Sequence, residues 1–182
     1  ANSINLNLAG MAAAANIDDA LRRAGDIGMP AENMMIADAS GRIAWRLTAQ
    51  MPNRLGDCDI QAPVDPLAGC EWQGWRAATE NPSILDPASD RLWTANARTL
   101  GGDALKMLGD AGYDNGARAR QIRDALFARQ QFTERDLLAI QLDDRALFLQ
   151  RWWELLRAQA QGSKDPTWIA FESATRSWSG HA

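Results

Sequence analysis

Apolar residues along this chain follow two rhythms, and the change from one to the other divides it. Asn16 reads as an N-cap, with Asp19 three residues on and acidic residues in the first turn, so a helix is predicted from Ile17 to about Asp26. It stops at Gly28, with Pro30 beyond. Two apolar runs follow, 33–38 (NMMIAD) and 42–50 (RIAWRLTAQ), about the tight turn Ala39–Ser40–Gly41, which is the pattern of a β-hairpin. Residues 51–90 show no rhythm; they hold most of the prolines, both cysteines and the Trp72–Gln73–Gly74–Trp75 pair of indoles, and predict a long irregular stretch. Leu92–Trp93–Thr94–Ala95 predicts one more short strand, ending at Asn96, before a loop punctuated by Gly101, Gly102, Gly109, Gly112 and Gly116.

From there the period is helical. Arg118 to Arg129 places Ile122, Ala125 and Leu126 on one face. Thr133 with Asp136 makes a capping box for a helix through Leu142. Asp144 is the expected cap of the next helix, in which Phe148, Trp152, Leu155 and Leu156 keep the spacing of a buried stripe. Asp165–Pro166 reads as N-cap and first-turn proline of a last helix reaching about Ser177. A small antiparallel sheet with three to four packed helices is therefore expected, an α+β arrangement in which 1–97 is sheet-rich and 98–182 mainly helical.

Composition narrows the function class. With 46% hydrophobic and 23% charged residues the 182-residue chain can bury a real core and is not of the disordered type. Nineteen basic against 23 acidic residues give a net charge of −4, which does not favour nucleic acid as a partner. No run of 18 apolar residues predicts a membrane span. The start lacks the basic segment of a signal peptide, but a mature or truncated chain loses one, so this bears little on compartment. Cys58 and Cys70 lie in one loop and suit either a disulfide or two separate thiols. His181, the single histidine, reads as a surface residue of a frayed tail and leaves no Ser-His-Asp or Cys-His arrangement.

The candidate chemistry centres on residues 91–123. An asparagine at a strand end carries a neutral amide donor, suited to a developing oxyanion in a dry site. An arginine offers a fixed fork of donors. Asn96 and Arg118 also suit plainer roles, as a turn residue and a solvated helix residue. Three runs bear on the choice: T-A-N-x-R at 94–98, L-G-D-x-G-Y-D-x-G-A-R-A-R-Q-I-R-D at 108–124, and FTERDLLAIQLDDRALFLQRW at 132–152. Together they resemble the β-chain of the penicillin acylase family, N-terminal-nucleophile amidohydrolases matured from one precursor. G-x-P-x-x-N-x-x-x-A-D, carried by Gly28, Pro30, Asn33, Ala37 and Asp38, matches a further signature of that family. The likeness runs over roughly 4–160 and departs at Ser89–Asp90, where glycine is usual.

The resemblance implies a four-layer αββα sandwich, of which this chain supplies an internal part. It implies a serine nucleophile at the start of the β-chain whose own α-amine, of ordinary pKa near ~8, acts as base. That serine, with its histidine and backbone oxyanion donor, is expected upstream; Ser3 is not a candidate. Asn96 takes the side-chain oxyanion donor role and Arg118, opening R-x-x-x-I, orders it. Glu32 and Asn33 fall at the border of the acyl pocket, where a carboxylate argues against a simple phenylacetyl group. The expected substrates are N-acylated small molecules such as β-lactams or acyl-homoserine lactones, and the expected partners are the α-chain and the N-terminal part of the β-chain. Calcium, bound in several members by upstream carboxylates, is possible in the intact enzyme; Asp103 and Asp110 fall near one ligand position without aligning cleanly, so this chain is assigned no metal. The likeness points to a periplasmic or secreted protein. The alternative is a non-catalytic ligand-binding or interaction domain on the same scaffold.

Overall fold

The computed structural model describes residues 4–56, 65, 69–109 and 112–181. The chain forms two compact units, Ala1–Asn115 and Gly116–Ala182.

The first unit is built around one strand. After a 3-10 turn at Asn7–Ala13 comes helix α1, Ile17–Ala24. Asn16 caps it as expected: its side chain accepts from the Asp19 N–H at 2.9 Å, and Asp19 accepts in return from the Ala15 N–H at 3.1 Å. Ile17, Ala20 and Ala24 recur on one face and are buried. Strands β1 (Asn33–Ala37) and β2 (Ile43–Leu47) form the expected hairpin, paired from Asn33↔Leu47 to Ala37↔Ile43. Asp38 closes its turn by accepting from Ser40, and its second oxygen accepts from the Ile17 N–H at 3.3 Å, joining the hairpin to the start of α1. The Ser40 hydroxyl is the main cause that holds the Asp38 carboxyl below its ordinary range.

Residues 51–90 are less irregular than their composition implies. Strands β3 (Pro52–Leu55) and β4 (Glu71–Trp75) pair antiparallel as a two-stranded sheet. Strand β5 (Ser83–Leu85) adds to β2, giving the order β1-β2-β5. These strands are only three to five residues long, too short for a period of two to build up. The expected Cys58–Cys70 loop lies partly outside the described residues, Cys58 among them; Cys70 is disulfide-bonded.

Central strand β2 has no solvent face, since Ala44, Trp45, Arg46 and Leu47 are all buried. Trp45 and Leu47 pack with Met51 against Leu92, Leu100, Met107 and Leu108. On the opposite face Arg46 donates to the Leu21 carbonyl of α1 and to the Ala78 carbonyl. Burial pushes this guanidinium below its ordinary value, although no nearby pH removes its charge.

Two expectations around residues 91–123 need correction. Residues 92–95 are not a strand. They run between two left-handed residues, Asp90 (φ 50°) and Asn96 (φ 55°), and the sheet edge beside β2 is taken by β5. Within the loop read at 101–116 a helix α2 forms over Gly102–Leu108, because the core ALKML favours helix while Gly109 (φ 87°) closes its end.

The second unit holds helices α3 (Ala117–Phe127), α4 (Glu134–Gln141), α5 (Leu147–Ala160) and α6 (Pro166–Thr175). The Thr133–Asp136 capping box of α4 and the Asp165 cap of α6 form as read. Asp144 does not cap α5; Ala146 holds that position, while Asp144 meets His181 Nδ1 at 2.6 Å. The tail is accordingly pinned rather than frayed: the Ala146 N–H donates to the Gly180 carbonyl at 2.7 Å, and Trp178 Nε1 to the His181 carbonyl at 2.9 Å. Asp143 accepts from Arg145 and from Gln121 of α3, so one carboxylate ties α3 to the α4–α5 turn. The stripe expected to be buried on α5 is half exposed: Phe148 50%, Trp152 48%, Leu155 51%, Leu156 40%. The inward-turned residues of α5 are Trp153, whose ring lies 5.2 Å from that of Trp178, and Ala160.

Candidate active site

Asn96 stands where the backbone turns twice within a few residues. Its φ of 55° lies in the left-handed region, which asparagine tolerates and most residues do not. Its carbonyl accepts from the Asp114 N–H at 3.1 Å, and Ala97 bridges to Asp114 in parallel register. Ala97 is buried, and Leu92 and Leu100 on either side pack on the Trp45–Leu47–Met51 core. The peptide that carries Asn96 is thus held by packing on both flanks and by a backbone clamp. Its side chain is exposed. A clamped backbone under a neutral amide is what a rigid donor requires, since a donor that need not reorganise acts most strongly on developing charge. Two residues earlier the Thr94 hydroxyl is buried with no hydrogen-bond partner among the described residues.

Arg118 lies in the first turn of α3 and is exposed. Asn96 belongs to the first unit and Arg118 to the second.

Glu32 and Asn33 sit at the head of β1. The main chain of Glu32 is fastened to Thr48, whose N–H donates to the Glu32 carbonyl at 3.0 Å and whose hydroxyl accepts from the Glu32 N–H at 3.1 Å; the carboxylate end is exposed. Asn33 is used by the fold, because its side-chain oxygen accepts from Trp45 Nε1 at 2.9 Å. That bond satisfies the one polar atom of the largest fully buried side chain.

The groups whose titration is clearly displaced are elsewhere. Asp19, Asp38, Asp136 and Asp143 are all lowered, chiefly by hydrogen bonds that cap or join helices. Arg42 is raised by Asp86 and Asp18, whose carboxylates flank it at 2.9 Å each. These are structural ties. No group of three or more His, Cys, Asp or Glu able to hold a metal occurs among the described residues. Asp103 pairs with Lys106 at 3.2 Å on an open surface, and Asp110 lies outside the described residues. Arg46 and Asn81, both buried, were not anticipated; the signal for Arg46 was a lone charge inside the apolar run of β2.

This arrangement of sheet, helices and loops has a solved counterpart. It superposes on the structure of a thermostable penicillin G acylase from Alcaligenes faecalis, with a TM-score of 0.62 and 19% identity over 97% of this chain. The chain therefore shares the mixed α+β fold of a part of that acylase, and spans 32% of its length. A sequence model of the penicillin amidase family matches residues 2–182, and the chain belongs to that family. No curated protein matches it closely enough to count.

Proposed function

We propose that this chain is part of an amidohydrolase that cleaves the amide bond of N-acylated small molecules, β-lactams or acyl-homoserine lactones, by an N-terminal serine carried on another part of the enzyme. Asn96 furnishes the side-chain donor that receives the tetrahedral oxyanion, and Arg118 helps to order that end of the site. The observation that carries the reading is the left-handed, clamped and outward-facing Asn96 within the matched family span. Glu32, with its carboxylate exposed, borders the acyl pocket and disfavours a plain phenylacetyl group. A periplasmic or secreted location goes with this reading, and the disulfide at Cys70 supports an oxidising compartment.

In the complete enzyme Asn96→Ala is expected to lower kcat by roughly 10²–10³-fold, about 3 kcal/mol of barrier, with KM little changed. Steady-state hydrolysis of a penicillin and of an acyl-lactone checks it. Wild-type kcat in that variant removes Asn96 from the oxyanion role. The 182 residues alone are expected to release no acid from either substrate.

A further inference from the structure

Of the asparagines in this chain only Asn115 is followed by glycine. Both residues are exposed, in the irregular link between the Asp114 bridge and the first turn of α3. The Gly116 N–H makes no hydrogen bond among the described residues, and a Cβ placed on Gly116 would meet no atom within 4 Å. Nothing therefore packs over that nitrogen. The other asparagines differ. Pro82 gives Asn81 no following N–H, and Asn81 is buried. Asn5, Asn16 and Asn33 have their amide oxygens engaged by the Gly28 N–H, the Asp19 N–H and the Trp45 ring. The nitrogen after Asn96 belongs to Ala97, a buried residue with a Cβ.

We infer that Asn115–Gly116 is a site of spontaneous covalent modification, at which the asparagine converts to aspartate and isoaspartate and so loosens the backbone clamp on Asn96. The Gly116 nitrogen attacks Cγ of Asn115. The bond from Cγ to Nδ2 breaks, and ammonia leaves with the proton of the Gly116 N–H. Solvent water then opens the five-membered imide at either carbonyl, and no oxidant or reductant is needed. Glycine favours the attack because it lacks a Cβ to crowd it and its backbone turns readily to the required angle. The isoaspartate product has a negative charge and one more carbon in the main chain. It stands beside Asp114, whose N–H donates to the Asn96 carbonyl at 3.1 Å. Lengthening the chain there shifts that donor; this consequence for turnover rests on the oxyanion reading of Asn96.

The test ages the complete enzyme in mildly alkaline buffer and follows every asparagine by peptide mapping, with mass spectrometry that separates aspartate from isoaspartate. Asn115 is expected to convert at least tenfold faster than any other asparagine, with isoaspartate the larger product. An Asn115 that stays intact while a synthetic peptide of the same sequence is consumed overturns the inference. Gly116→Ala is expected to slow the conversion at least tenfold; an unchanged rate overturns the imide route. For the clamp, kcat is expected to fall in step with the isoaspartate fraction while KM holds, and Asn115→Gln to keep its starting kcat through the same incubation. A constant kcat at full conversion, or an equal loss in Asn115→Gln, overturns the coupling to Asn96. Fresh enzyme without any Asn96-dependent hydrolysis sinks the oxyanion reading, and the mass measurement still decides the modification.

Discussion

At the scale of single residues, two side chains show how position and chemistry are coupled. Asn96 needs a backbone that tolerates φ of 55°, and glycine offers that without an amide. Asn96→Gly in the complete enzyme should therefore keep stability within about 1 kcal/mol while losing turnover as fully as the alanine variant. Parallel urea melts and kinetics make the comparison; a stable glycine variant with normal kcat shows that backbone shape alone was needed. Arg46 is the opposite case, buried and structural. Its donors serve half-buried carbonyls of α1 and of the Ala78 turn, so Arg46→Met removes both bonds, although the Ala78 carbonyl keeps the Asn81 N–H. The expected cost is roughly 2–4 kcal/mol. A urea midpoint equal to wild type contradicts this.

At the scale of elements, local chemistry was legible in the sequence and short-range rhythm was not always. The caps at Asn16, Thr133 and Asp165 were readable because each is a contact between neighbours two or three residues apart. The hairpin at 33–47 was readable because both strands carry apolar runs about a glycine turn. Strands β3, β4 and β5 escaped because they are short, and 92–95 was misread because Leu92 packs on the core from a loop rather than from a paired strand. Asn96 could be found by motif, but its left-handed backbone and its tie to Asp114 arise from contacts that no local pattern encodes. The Asp143 tie is likewise a tertiary feature. Its carboxyl is held well below the ordinary aspartate value, first by Arg145 and also by Gln121. Its stabilising effect is thus complete above the unfolded value of about 4 and fades as pH falls below it. Circular dichroism of the helical unit should show a loss in acid that Asp143→Asn abolishes. An unchanged acid profile in that variant removes Asp143 as the cause.

At the scale of the molecule, the unequal cores of the two units set a hierarchy of stability. Among the described residues ten buried apolar side chains hold the first and two the second, so the second is expected to open more readily. Limited proteolysis of the 182-residue chain should cut first within 116–182 and leave a fragment near 1–115. Early cleavage inside α1 or β2 contradicts that order.

The backbone at position 96 also bears on how the gene can drift. One nucleotide change from an asparagine codon reaches aspartate, histidine, serine, threonine, lysine, tyrosine or isoleucine. Of these, aspartate and histidine share the tolerance for a left-handed turn. Aspartate replaces a donor with a negative acceptor, and histidine adds a ring where an amide stood. Glycine lies two changes away. The codon is therefore nearly an island, and a deep mutational scan under selection for turnover should return a single letter there amid variable neighbours.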